Sequence, residues 1–95
     1  MGTRLVTRRL RRTSARLVTL RDELRVIDEQ QQYLVDDADD SGLRSLVSES
    51  TRARSEAREA AGHVEAMARH RAKVIAEIAR LEAQQDQLLD RLTAG

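Results

Sequence analysis

The chain has 95 residues, enough for one small domain, and it contains one aromatic residue, no proline and no cysteine. Any core must therefore be aliphatic, and disulfides and thiolate metal sites are excluded. Charged residues of both signs make up 35% of the chain, with a net charge of +1, which suits solvated helices better than a compact globule. No apolar run is long enough for a secretory signal or a membrane span, so we expect a cytoplasmic protein.

The first predicted element is a long helix from about residue 4 to residue 35. Mostly apolar residues recur there with gaps that alternate between four and three, the spacing of a helix packed lengthwise against another. We call these positions the seam of the helix. They are Val6, Leu10, Thr13, Leu17, Leu20, Leu24, Ile27, Gln31 and Leu34.

An acidic segment, residues 36–42, is predicted to interrupt the helix as a bend. Carboxylates at a helix C-terminus oppose the helix dipole, whereas the same groups before a helix favour it. We therefore predict that the first helix ends near Val35 and that a short helix spans about residues 40–48. Ser48 or Ser50 would cap the next helix. The short helix would present three apolar residues on one face: Leu43, Leu46 and Val47.

The last predicted element is a long helix from about residue 51 to residue 92. The alternation of four and three continues through it without a break, and the intervening residues are good helix formers. Its seam is Ala53, Ala57, Ala60, Val64, Met67, Arg71, Val74, Ile78, Leu81, Gln85, Leu88 and Leu92.

The predicted fold is all-α: an antiparallel two-helix coiled-coil hairpin with the short helix at its bend, forming a single domain over residues 1–95. In the predicted register Leu17 meets Val74 and Leu34 meets Ala57, and the short helix fills the space that the alanines leave near the bend. Surplus apolar residues flank the two seams and favour dimerisation into a four-helix bundle. This candidate oligomer interface is Val18, Val26, Ile75 and Leu89.

Polar residues at seam positions have two interpretations. Residues such as Gln31 and Gln85 fix the register and the number of helices at some cost in stability. The alternative, for Arg71, is that it binds an anion between the helices.

The N-terminal third is basic, and an arginine-rich arm of this kind can neutralise the phosphates of a nucleic acid. The alternative, which we favour, is that acidic residues of the second long helix neutralise the arm within the hairpin. No aromatic residues are interleaved with the arginines to stack on bases. The candidate anion or nucleic-acid contacts are Arg4, Arg8, Arg9, Arg11, Arg12 and Arg16.

The acidic segment resembles the tip of the secondary-channel regulators of bacterial RNA polymerase, the Gre and DksA type. Asp36, Asp39 and Ser41 approximate the Asp-x-x-Asp-x-Ala tip of the DksA type, with Ser in place of Ala. The resemblance implies a hairpin that places acidic tip residues near the catalytic Mg²⁺. The alternative is a turn that is acidic for solubility and for capping the next helix. The candidate tip residues are Asp36, Asp37, Asp39 and Asp40.

No arrangement of residues predicts catalysis or a bound cofactor. His63 and His70 lie seven residues apart, whereas zinc-binding pairs on a helix are four apart, so we expect surface histidines and no metal site. The chain contains no nucleophile elbow and no glycine-rich phosphate loop. We therefore predict a protein that is not an enzyme.

The tract from Asp22 to Leu92 is similar to small uncharacterised helical-hairpin proteins of high-GC Gram-positive bacteria. The similarity is carried by residues 27–30, the acidic segment and residues 88–92. It implies a cytoplasmic bacterial protein and carries no activity with it. We predict a coiled-coil interaction or structural protein that self-associates, as a dimer, and binds a protein partner. The alternatives are a nucleic-acid accessory protein and a polymerase-channel regulator, and no membrane is expected as a partner.

Overall fold

A computed structural model describes residues 2–94 as two long α-helices joined by a two-residue turn. Helix α1 spans Gly2–Ser48 and helix α2 spans Thr51–Ala94. These residues contain no β-strand, which confirms the all-α prediction. Neither helix contains a proline, and the filler between the seam positions of α2 is rich in alanine, arginine and glutamate, which are good helix formers.

Helix α1 does not end near Val35. It continues through the acidic segment to Ser48, so the predicted bend at residues 36–42 and the predicted separate helix at residues 40–48 are wrong. The dipole argument failed because its effect is confined to the last turn of a helix, and Asp40 lies eight residues before Ser48.

The seam of α1 also continues beyond Leu34. The next positions in the four-three alternation are Ala38, Ser41 and Ser45, and all three are buried or half-buried. Their side chains are small, so they do not read as part of an apolar stripe in the sequence. They nevertheless occupy the buried side of the helix.

The turn between the helices is formed by Glu49 and Ser50. Glu49 has a φ of 53°, a left-handed conformation that stops α1. The Ser50 hydroxyl accepts a hydrogen bond from the Ala53 backbone N–H at 3.0 Å, and the Ser50 carbonyl accepts one from the Arg54 N–H at 3.1 Å. Ser50 is therefore the N-cap of α2, one of the two predicted caps.

We expect the Ser50→Ala substitution to lower the free energy of unfolding by about 1 kcal/mol, because an N–H in the first turn of α2 loses its acceptor. A urea titration followed by circular dichroism measures this change. Ser55→Ala, in the exposed part of the same helix, is the control and should leave the midpoint nearly unchanged. Equal midpoints for both variants would contradict the assignment of the cap.

The chain divides into two compact units, and each contains a segment of both helices. Unit 1 comprises residues 2–24 and 73–94, and unit 2 comprises residues 25–72. In unit 1 the Gln85 amide donates to the Ser14 hydroxyl at 2.9 Å. Within each unit, rising residue numbers in α1 meet falling numbers in α2, so the two segments are antiparallel.

The register between the helices differs from the predicted one by one heptad. The Ser14–Gln85 contact places Leu17 opposite Leu81, whereas the prediction placed Leu17 opposite Val74. In unit 2 the contact between Asp28 and Arg71 follows the same register. The shift arises because the chain reverses at residues 49–50 rather than at the acidic segment.

The core of both units is built from the predicted seams. Every predicted seam position of both helices is buried or half-buried. Leu17, in unit 1, is 0% exposed and is the largest fully buried side chain. The buried apolar residues are Val6, Leu17, Leu20, Ile27, Ala60, Val74, Leu81 and Leu88.

Candidate interaction surfaces

The four residues of the predicted oligomer interface are all exposed, with fractional exposures of 39–59%. In unit 1, Ile75 and Leu89 lie seven residues on either side of Glu82, so the three share one face of α2. Glu82 accepts a hydrogen bond from Arg21 of α1 at 3.0 Å, which places this face beside α1. Val18 lies one turn before Arg21. Val18, Ile75 and Leu89 therefore lie on the same side of unit 1.

Val26 belongs to unit 2 and is not part of that group. It precedes Asp28 by two residues, which is about 200° around the helix. Asp28 accepts a hydrogen bond from the Arg71 guanidinium at 2.6 Å and so marks one side of the contact between α1 and α2. Val26 consequently lies on another side of α1.

Five further large apolar side chains are exposed among residues 2–94, and none of them was predicted to belong to a binding surface. Leu43, Leu46 and Val47 were expected to fill space near a bend, but they are 63–85% exposed. That prediction was wrong because α1 is continuous there and its small seam residues face α2 instead. The other two are Leu5 and Tyr33.

The basic arm is neutralised by α2 only in part. Arg21 pairs with Glu82, and the charge of Arg16 contributes to the environment of Glu77. The pKa of Glu77 lies below its ordinary value, chiefly because the Arg80 guanidinium hydrogen-bonds to its carboxylate and secondarily because of the Arg80 and Arg16 charges. No ion pair or hydrogen bond to residues 2–94 involves the side chains of five arginines, which we call the N-terminal arginines: Arg4, Arg8, Arg9, Arg11 and Arg12.

The two units carry opposite net charges. Unit 1 has ten basic and six acidic side chains, a formal charge of +4, whereas unit 2 has seven basic and ten acidic side chains, a charge of −3. The net charge of +1 for the whole chain is therefore the sum of two units of opposite charge.

The acidic residues do not lie at the turn between the helices. Residues 36–40 are inside α1, and the turn is formed by Glu49 and Ser50. The prediction that the tip of the hairpin is acidic is therefore wrong. Its four residues lie within α1 instead: Asp36, Asp37, Asp39 and Asp40. Asp36 accepts a hydrogen bond from Gln32 at 3.1 Å, and Asp40 pairs with Arg44 at 3.0 Å. These are contacts between successive turns of one exposed helix face.

An open groove of about 250 Å³ lies between α1 and α2 in unit 2. Its lining is mostly aliphatic, with two carboxylates: Val35, Ala38, Asp39, Ala61, Val64 and Glu65. Sequence reasoning missed this groove because it depends on the corrected register, which brings Ala38 beside Ala61. The alanines keep the groove open, since a larger residue at either position would fill it.

The histidines form no metal site within the described part of the chain. His63 lies 3.7 Å from the Glu59 carboxylate, one turn away on the same helix. Over residues 2–94, no group of three or more histidine, aspartate or glutamate side chains is arranged to hold a metal ion.

The polar seam residues differ in how they are satisfied. Gln85 bonds to Ser14, and Arg71 bonds to Asp28, so an anion at Arg71 would compete with a carboxylate already in place. Gln31 is the exception, because its side-chain oxygen is buried and has no hydrogen-bond partner among residues 2–94. Leaving a buried acceptor unpaired costs about 1–3 kcal/mol.

Replacing Gln31 with methionine, a side chain of similar shape, should therefore raise the free energy of unfolding by about 1 kcal/mol. The same substitution at the neighbouring exposed Gln30 is the control and should change little. Thermal and urea unfolding of both variants measure the difference. A destabilised Gln31→Met variant would mean that the amide is satisfied in solution, for example by a partner or by water.

Over residues 2–94, no helix combines the length and the hydrophobicity that crossing a membrane requires. No family model, no curated protein and no solved structure matches the chain. This result confirms the prediction that no characterised family is matched.

Proposed function

We propose that this is a non-enzymatic helical interaction protein that self-associates through apolar side chains and holds a protein partner. The observation that carries the proposal is the group formed by Val18, Ile75 and Leu89, which are exposed on one side of unit 1. Burying a large aliphatic side chain contributes about 1.5–3 kcal/mol, so covering this side would yield a substantial stabilisation.

A dimer that forms a four-helix bundle is the simplest assembly that covers such a surface. Two helices alone bury little area per residue and are seldom stable without further association. Outside the dimer, the charged faces and the exposed residues near the turn, Leu46 and Val47 among them, remain for a protein partner. A cytoplasmic location in a bacterium is part of the same proposal.

Light scattering on a sizing column tests the self-association. We expect the wild-type protein to have about twice the mass of the chain, and the double substitution Val18→Glu with Ile75→Glu to give a monomer that remains largely helical. Leu46→Glu with Val47→Glu is the matched control and should leave the mass unchanged. A wild-type monomer, or a dimer unaffected by the Val18 and Ile75 substitutions, would contradict the proposal.

A second candidate function is nucleic-acid binding by the N-terminal arginines. The observation that favours it is that these side chains make no ion pair within residues 2–94. Neutralising phosphates with arginines releases counterions, so binding should weaken steeply with salt, with a slope of about 0.9 per phosphate contact on duplex DNA.

The test is the binding of labelled duplex DNA and single-stranded RNA at several salt concentrations. If the arginines contact phosphates, the triple alanine variant at Arg8, Arg11 and Arg12 should lose about three units of slope on duplex DNA. The control removes three basic residues elsewhere: Arg58, Arg69 and Lys73. Binding that is absent, insensitive to salt or equally weakened in both variants would dispose of this candidate.

A further inference from the structure

The groove in unit 2 has the properties of a docking site for an arginine-rich segment. Val35, Ala38, Ala61 and Val64 give it an aliphatic lining, and unit 2 as a whole carries a net charge of −3. Its two carboxylates, Asp39 and Glu65, make no ion pair or hydrogen bond with residues 2–94. Arginine side chains, which carry a cationic group on an apolar stem, would satisfy all of these features.

The start of α1 has the complementary properties. Arg4, Arg8 and Arg11 lie together on one face of α1. Val18, part of the proposed dimer interface, lies seven residues after Arg11 and therefore on the same face. These arginines have no anionic partner within the described residues, and unit 1 carries a charge of +4.

We propose that the groove of unit 2 binds the arginine-rich start of α1, residues 4–12, of a second copy of this chain. The contact places the apolar stems of the arginine side chains along the aliphatic lining and their guanidinium groups against Asp39 and Glu65. In a twofold dimer it occurs twice, because each copy offers both a groove and an arginine-rich segment. The inference rests on the self-association proposed above and specifies which surfaces of the two copies are in contact.

Charge decides between this arrangement and the alternative in which like units meet. Two copies of unit 1 would bring together two surfaces of charge +4, whereas unit 1 against unit 2 of another copy pairs +4 with −3. Juxtaposed like charges disfavour a complex, and complementary ones favour it and fix its register. The charged halves of the chain therefore select the antiparallel dimer.

Charge reversal tests the contact by sedimentation at low and moderate salt. The first variant carries Arg4→Glu and Arg8→Glu, the second carries Asp39→Arg and Glu65→Arg, and the third combines all four changes. We expect each of the first two to raise the dimer dissociation constant at least about tenfold, and the combined variant to recover most of the wild-type affinity. An equimolar mixture of the first two should form heterodimers.

The matched control for the first variant is Lys73→Glu with Arg91→Glu. It makes the same change in the net charge of unit 1 at two basic residues outside residues 4–12 and should dimerise like the wild type. Helix content from circular dichroism accompanies each measurement. Glutamate in the first turn of a helix is favoured by the helix dipole, and glutamate is a good helix former at later positions, so loss of helix is not expected from Arg4→Glu or Arg8→Glu.

The outcomes separate this inference from the proposed function. A dimer that the Val18 and Ile75 substitutions dissociate, but that is indifferent to the charge reversals, would overturn the docking geometry and leave self-association intact. A wild-type monomer would overturn both. A combined variant as weak as the single sets would also overturn the contact. Charge reversals that abolish binding to nucleic acid but leave the dimer unchanged would also overturn the contact. The arginines would then bind nucleic acid rather than the groove.

Discussion

The Leu17→Ala variant should lose about 3 kcal/mol of its free energy of unfolding. Leu17 is 0% exposed, and it lies opposite Leu81 in the observed register. Removing its isobutyl group forfeits the transfer free energy of the buried carbons and leaves a cavity that two long helices can close only in part. A small domain is stabilised by about 5–15 kcal/mol in total, so this single change removes a large share.

Urea unfolding at a fixed protein concentration measures the loss, since association contributes to the apparent stability. Leu46→Ala is the matched control, because it deletes the same atoms from a side chain that is 77% exposed and should change stability by less than about 0.5 kcal/mol. Equal losses in the two variants would contradict the assignment of Leu17 to the core.

The core was predictable because it depends on a local property of the sequence. The gaps of four and three fix which side of each helix is buried, and residues as different as Thr13 and Leu17 are both buried at the expected positions. The exposed apolar flank followed from the same pattern. Val18 and Ile75 are apolar but lie off the seams, and both are exposed.

The end of α1 and the register were not predictable in the same way. Ala38, Ser41 and Ser45 continue the seam, but small residues carry too little hydrophobicity to mark a stripe, whereas the adjacent aspartates and Gly42 resemble a helix stop. Placing the chain reversal too early shifted every pair by one heptad. The sequence pattern does not reveal a register that is shifted by one heptad, because each heptad of a coiled coil repeats the one before it.

The candidate surfaces depend on the register between the helices and therefore could not be predicted from the sequence. The groove between Ala38 and Ala61 exists only once α1 reaches Ser48 and small residues meet small residues. Similarly, opposite charges on the two helices suggested that the whole basic arm is neutralised. Instead, Arg21 pairs with Glu82, and Arg16 acts on Glu77 only through its charge, which leaves the preceding arginines for other contacts.

The Ala60→Leu substitution distinguishes the observed register from the one predicted from the sequence, because its effect on the free energy of unfolding has the opposite sign in the two. Ala60 is buried, and in the observed register it lies opposite Ala38, so two small residues allow the helices to approach each other. A leucine there must push the helices apart or adopt a strained rotamer, and we expect a loss of about 2 kcal/mol. In the register predicted from the sequence, the alanines leave unfilled space, and leucine would instead be tolerated or stabilising.

Ala66→Leu, on the exposed surface of the same helix, is the control for the intrinsic effect of leucine and should be close to neutral. Urea midpoints for both variants, with helix content checked by circular dichroism, give the comparison. A stabilised Ala60→Leu variant would refute the small-against-small contact. It would also remove the basis for the groove, because the same close approach of Ala38 and Ala61 shapes both.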